Sequence, residues 1–91
     1  MAYNTVTVTT TATKIVADNA NRKALMLTNS EEGLIVYIGP DSSITTANAI
    51  PLYETQTKDF TKNTPGYYSG DVYGIVSAGT ADVRYWEVVG R

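Results

Sequence analysis

The chain has 91 residues, 43% of them hydrophobic and 18% charged, with a formal charge of −2 and a pI near 4.8. That length suits one domain over residues 1–91 and no second core, and the ordinary hydrophobic share argues against disorder. The mild acidity gives no electrostatic reason to approach phosphate backbones or anionic lipid, so neither nucleic acid nor membrane is an expected partner. The absence of cysteine removes disulfides and thiolate metal sites.

The segment from Tyr3 to Thr13 alternates Val6 and Val8 with Thr5, Thr7 and Thr9, as a strand with one apolar face does. Its other face carries hydroxyls only, which fits a sheet edge or an interface that desolvates cheaply. Lys14 to Ala17 is a second short strand, and Asp18 to Asn21 is loop by composition.

Arg22 to Pro40 is the stretch around which the rest is expected to be arranged. Arg22 to Asn29 and Leu34 to Gly39 are aliphatic arms separated by Ser30-Glu31-Glu32-Gly33, which predicts a β-hairpin. In the second arm Leu34, Val36 and Ile38 point one way and Ile35 and Tyr37 the other, so neither face is written for water. One face needs the remaining strands, and the other needs more of this chain or a neighbouring molecule.

Asp41 to Ile50 is polar with isolated apolar positions. Thr45, Thr46 and Asn48 are weak helix formers and Pro51 restricts Ile50, so an irregular loop or short strand is expected there. Pro51 to Glu54 begins another strand or turn, and Thr55 to Lys62 alternates loosely around Phe60. Asn63 to Gly70 is the plainest loop, with Pro65-Gly66 at its centre. Asp71 to Ser77 and Ala81 to Val89, joined through Gly79, predict a second hairpin. In its last strand Val83, Tyr85, Glu87 and Val89 oppose Asp82, Arg84, Trp86 and Val88. Either face could be inward, and the size of Trp86 predicts that its side is at least partly buried, with Arg84 along the rim.

About seven or eight short strands, regular turn signals and no helix predict an all-β fold, a single small antiparallel β-sandwich or barrel. With no His and no Cys, the usual nucleophile and base pairs are missing, which argues against an enzyme. No phosphate loop or calcium loop is present, so no cofactor and no metal are expected. The residues expected to bind a partner are Thr5, Thr7, Thr9 and Thr11 on the first strand, Glu31 and Glu32 at the hairpin tip, and Tyr67 and Tyr68 on the Pro-Gly loop. Glu31 and Glu32 are most simply a solvated charge pair, whereas Tyr67 and Tyr68 suit contact because aromatic groups bury much area while losing few rotamers.

The run Arg22-Lys-Ala-Leu-Met-Leu-Thr-Asn29, the segment Val36-Tyr-Ile-Gly39 with Ile50-Pro-Leu52, and the stretch Gly70 to Arg84 together resemble small structural proteins of tailed bacteriophages. The resemblance spans most of residues 5–89 and rests on strand and turn grammar. The chain is similar to capsid decoration, or cement, proteins; the resemblance implies a jelly-roll-like or related β-sandwich, and it carries over no functional residue set. It implies a virion protein made in the host cytoplasm that sits on the capsid surface as a homo-oligomer, a trimer by preference. Its partner would be the major capsid protein, whose neighbouring subunits it clamps. A tail, baseplate or head-to-tail accessory protein is the nearest alternative, and a carbohydrate-binding module using Tyr67, Tyr68 and Trp86 is another.

Overall fold

A computed structural model describes residues 2–61 and 68–90, with the side chains of residues 2, 3 and 61 left aside. Eight strands follow one another: β1 (Ala2–Val8), β2 (Thr13–Val16), β3 (Arg22–Asn29), β4 (Val36–Gly39), β5 (Ile50–Leu52), β6 (Thr57–Thr61), β7 (Val72–Ile75) and β8 (Ala81–Val89). No helix occurs among the described residues. The strands form two four-stranded sheets, ordered β1-β8-β3-β6 and β2-β7-β4-β5, antiparallel throughout.

The pairing is nested. β1 pairs with β8, β2 with β7, β3 with β6 and β4 with β5, while β8-β3 and β7-β4 contacts close each sheet. A long strand pair rolled up so that successive rungs fall alternately in two sheets has this order, which is the sandwich that the residues predict, in the double-sheet jelly-roll arrangement that the resemblance implies.

Both predicted hairpins are corrected by this topology. β3 and β4 lie in opposite sheets, as do β7 and β8, so the turn signals between them mark crossovers rather than hairpins. Gly33 and Gly79 do occupy left-handed backbone (φ 78 and 69), the conformation a tight reversal requires. That reversal carries the chain across the sandwich. β4 and β5 are the sequential strands that pair, across residues 40–49. There Ile44 folds back and is buried against Gly39, where a Cβ would collide with it.

The core lies between the sheets. Val6, Val8, Leu25, Leu27 and Val83 come from the first sheet and Ile15, Val16, Val36, Ile38, Leu52 and Val72 from the second. The inward direction of β8 is a further correction. Val83 and Glu87 are buried and Tyr85 packs on the core, while Trp86 stays 46% exposed on the outer face. The larger aromatic lost the inside because Glu87 has an interior partner.

That partner is Arg22. The pairing of β3 with β8 shifts register between Arg22 and Ala24, so the inward parity set by Leu25, Leu27 and Asn29 breaks at Lys23. A bulge of this kind re-aims a side chain, and here it turns Arg22 inside. Arg22 is 1% exposed, and its Nε donates to Glu87 Oε2 at 2.7 Å. Its remaining nitrogens reach the carbonyls of Tyr68 (3.3 Å), Gly70 (3.0 Å) and Ala17 (2.8 Å). At the other end of β3, Asn29 is fully buried; its Nδ2 donates to the carbonyls of Leu34 (2.9 Å) and Leu52 (3.0 Å), and its Oδ1 accepts from Glu31 N–H (3.0 Å). Each hub ties crossovers to the central strand, as buried polar groups must be tied.

Candidate functional site

Cross-strand register decides what the outer face of the first sheet displays. One row runs Thr5, Arg84, Thr28 and Thr57 across β1, β8, β3 and β6, and the next contains Trp86, Met26 and Asp59. A third sets Val88 beside Ala24. Thr28 and Thr57 share a hydroxyl–hydroxyl hydrogen bond of 2.9 Å, so part of the hydroxyl surface is internally satisfied. Trp86 and Met26 sit on the two central strands, with Arg84 the charge nearest them on β8. A half-open ring beside Met26, with Arg84 and Asp59 at its margin, brings a large contact area to a partner.

The second sheet shows a related surface on the opposite side. Tyr37 pairs with Ile75 and lies across from Pro51, while Tyr73 pairs with Gly39 and carries the Lys14 ammonium 5.7 Å from its ring centre. Tyr37, Tyr73 and Ile75 are half-buried.

A cleft of about 450 Å³ opens where β6 of one sheet faces β4 and β5 of the other, lined by Ile38, Ile50, Lys58, Phe60, Tyr68 and Val72. Lys58 and Phe60 point inward, paired with buried Leu27 and Leu25, and the Lys58 ammonium lies 5.4 Å from the Phe60 ring centre.

The residues predicted to bind a partner do not form one site. Thr5 and Thr7 are exposed on β1, at the edge of the first sheet. Thr9 and Thr11 lie past the end of β1 in the crossover to β2, so the strand expected to reach Thr13 stops at Val8. Their groups are engaged locally, since the Thr11 N–H donates to Thr9 Oγ1 at 3.2 Å and the Thr13 hydroxyl to the Thr11 carbonyl at 2.9 Å. Glu31 is half-buried and Glu32 exposed in the β3–β4 crossover, beside Asn29. Tyr68 is at the far end of β3, where its carbonyl takes Arg22. Tyr67 lies outside the described residues.

Tyr68 is more structural than its loop position predicts. It is half-buried, its hydroxyl donates to the Asp71 carbonyl at 2.7 Å, and its ring packs 5.9 Å from that of Phe60. Burial, reinforced by the nearby Asp71 carboxylate, pushes its hydroxyl pKa up. Sequence reasoning set Trp86 on the surface only in the carbohydrate-binding alternative, and it missed Met26 and Val88 on the same outer face. Their shared outward parity was visible once Glu87, one position along, is granted an interior partner. Among the described residues no group of three or more acidic side chains gathers in a way that could hold a metal ion.

Compared with protein-family models, with curated proteins and with solved structures, the chain finds no match.

Proposed function

We infer that this chain is a binding and bracing protein rather than an enzyme, and specifically a capsid decoration protein that attaches to the outside of an assembled phage head and strengthens contacts between coat subunits. The observation that carries this reading is that both outer faces of the sandwich display aromatic side chains, with Arg84 and Asp59 on one face and Lys14 on the other as the charges nearest them. Trp86 and Met26 mark one, and Tyr37, Tyr73 and Ile75 the other. A molecule with sticking surfaces on opposite sides can bridge two neighbours. If it binds the assembled lattice but not separated subunits, it stabilises the lattice by mass action with no chemistry of its own. Copies joined about a symmetry axis multiply weak contacts by avidity.

The test adds purified chain to heads that lack it and measures saturation of the surface and resistance to heat or chelator. Saturable binding that raises head stability, and that weakens about tenfold or more in a Trp86→Ala variant, supports the reading on the scale of an aromatic anchor. Labelled chain found only on tails or at the head-to-tail joint would assign it to an accessory role instead. The exposed Trp86 ring also favours a carbohydrate-binding module, because flat aromatic rings stack on sugar faces. A glycan array binding the chain but not Trp86→Ala would move the assignment there.

A further inference from the structure

The sandwich has four edge strands, and three of them are guarded. β6 carries inward-pointing Lys58; β5 is three residues long with Pro51 in its middle; β2 is four residues long, and its register shifts between Lys14 and Val16. Inward charges, proline, short length and bulges are the devices by which sheets refuse a further strand. β1 has none of them. Its seven residues hold an unbroken register against β8 and include no charged residue and no proline.

The direction of its edge-facing hydrogen-bonding groups can be read, and the Thr5 N–H, held by the neighbouring Asn4 side chain, exchanges that local bond for one to a second strand on pairing. Asn4 Oδ1 accepts the Thr5 N–H at 2.8 Å, so this amide is not spent on β8 and faces the open edge. Backbone alternation gives Thr7 the same direction. The segment from Thr5 to Thr7 also reads identically in both directions about Val6. Turned antiparallel about a two-fold axis through Val6, it sets Thr5 opposite Thr7 of a second copy and Val6 opposite itself. Thr–Thr pairs of this kind are favourable cross-strand neighbours, and this sheet already makes one at Thr28–Thr57.

We propose that β1 is a self-association edge, where two copies pair through Thr5 and Thr7 to make one continuous eight-stranded sheet. The outer faces bearing Trp86 then lie on the same side of the pair, so a dimer presents the anchor twice. This deepens the self-association contained in the functional reading and gives it a surface, with two-fold rather than three-fold closure. It is tested on the chain alone, so failure here leaves head binding standing, and failure of head binding leaves this pairing standing.

Sedimentation equilibrium of the purified chain across concentrations should give twice the 9.8 kDa chain mass at the high end. Thr5→Pro removes an edge-facing N–H without touching the β1–β8 ladder, and should raise the dimer dissociation constant at least about tenfold. The double variant Thr5→Lys, Thr7→Lys sets like charges opposite one another across the axis and should do the same. Lys58→Ala should leave the dimer unchanged. Because a variant can fail through misfolding, wild-type amide exchange at Thr5 and Thr7 is followed as well, and it should slow as concentration rises. A wild-type chain that stays monomeric, a mass of three chains, or a dimer indifferent to both β1 variants overturns the proposal.

Discussion

The two ends of β3 meet the same requirement by different chemistry. At each end, carbonyls from crossovers are turned inward and need donors. Asn29 supplies them from a neutral amide, satisfying Leu34, Leu52 and the Glu31 N–H with one side chain. Arg22 supplies them from a cation, reaches three segments, and therefore requires a buried counter-charge from Glu87. The difference is one of reach against exposure to loss. A longer charged fork gathers more of the chain, but removing its partner strands a charge in the interior, whereas the amide leaves only orphaned dipoles.

The largest expected effect tests the charged end. Glu87→Ala removes the carboxylate that Arg22 Nε meets at 2.7 Å in the interior and should cost about 3–5 kcal/mol, read by urea unfolding. Against a total stability of about 5–15 kcal/mol, that approaches unfolding. The double variant Arg22→Met, Glu87→Leu sharpens the comparison. It removes both charges yet should stay well below wild type, because the carbonyls of Ala17, Tyr68 and Gly70 lose their donor. Full recovery in that variant would mean that the ion pair, not the carbonyl cradle, is what matters at this end.

Next comes the neutral end. Asn29→Ala should cost about 2–3 kcal/mol by the same measurement, since it strands buried acceptors rather than a charge. Asn29→Asp should be worse at neutral pH, because a carboxylate cannot donate to the carbonyls of Leu34 and Leu52.

Tyr68→Phe removes the hydroxyl that caps the Asp71 carbonyl, next to the Arg22 cradle, and should cost about 1 kcal/mol. It also carries a pH signature. The folded pKa of Tyr68 is raised above its ordinary 10.0, so its neutral form is favoured by folding. That contribution is full below pH 10.0 and is lost as pH climbs through the raised value. Stability measured across alkaline pH should fall less steeply in Tyr68→Phe than in wild type. The smallest effect is at the surface near the same end. The Lys14–Asp71 pair, at 3.8 Å between partly exposed groups, should change stability by no more than about 0.5 kcal/mol in Lys14→Gln.

The strands themselves were legible. Alternation in β1, β4 and β8 and the aliphatic run of β3 are local signals, and they fall close to the observed elements. Pairing was not legible, because a glycine-centred turn looks the same whether the chain returns beside itself or crosses to the facing sheet, as at Gly33 and Gly79. The burial of Arg22 was hidden by the bulge at Lys23, which reverses the parity a reader would assign from Leu25 and Leu27. Trp86 was misplaced for the companion reason: its neighbour Glu87 looks like a surface charge until Arg22, 65 positions away, is known to meet it. The surface of the first sheet follows from that one long-range contact.

The nested order of strands has a consequence for how the molecule is made. β8 sits between β1 and β3, yet it is the last of the eight strands to leave the ribosome. Until it emerges, β1 lacks its neighbour in the sheet and the Glu87 carboxylate that meets Arg22 is not yet made. Of the first sheet, β3 and β6 can pair before β8 exists, whereas the β1–β8 and β3–β8 pairings must wait for it, the kind of distant contact that slows folding.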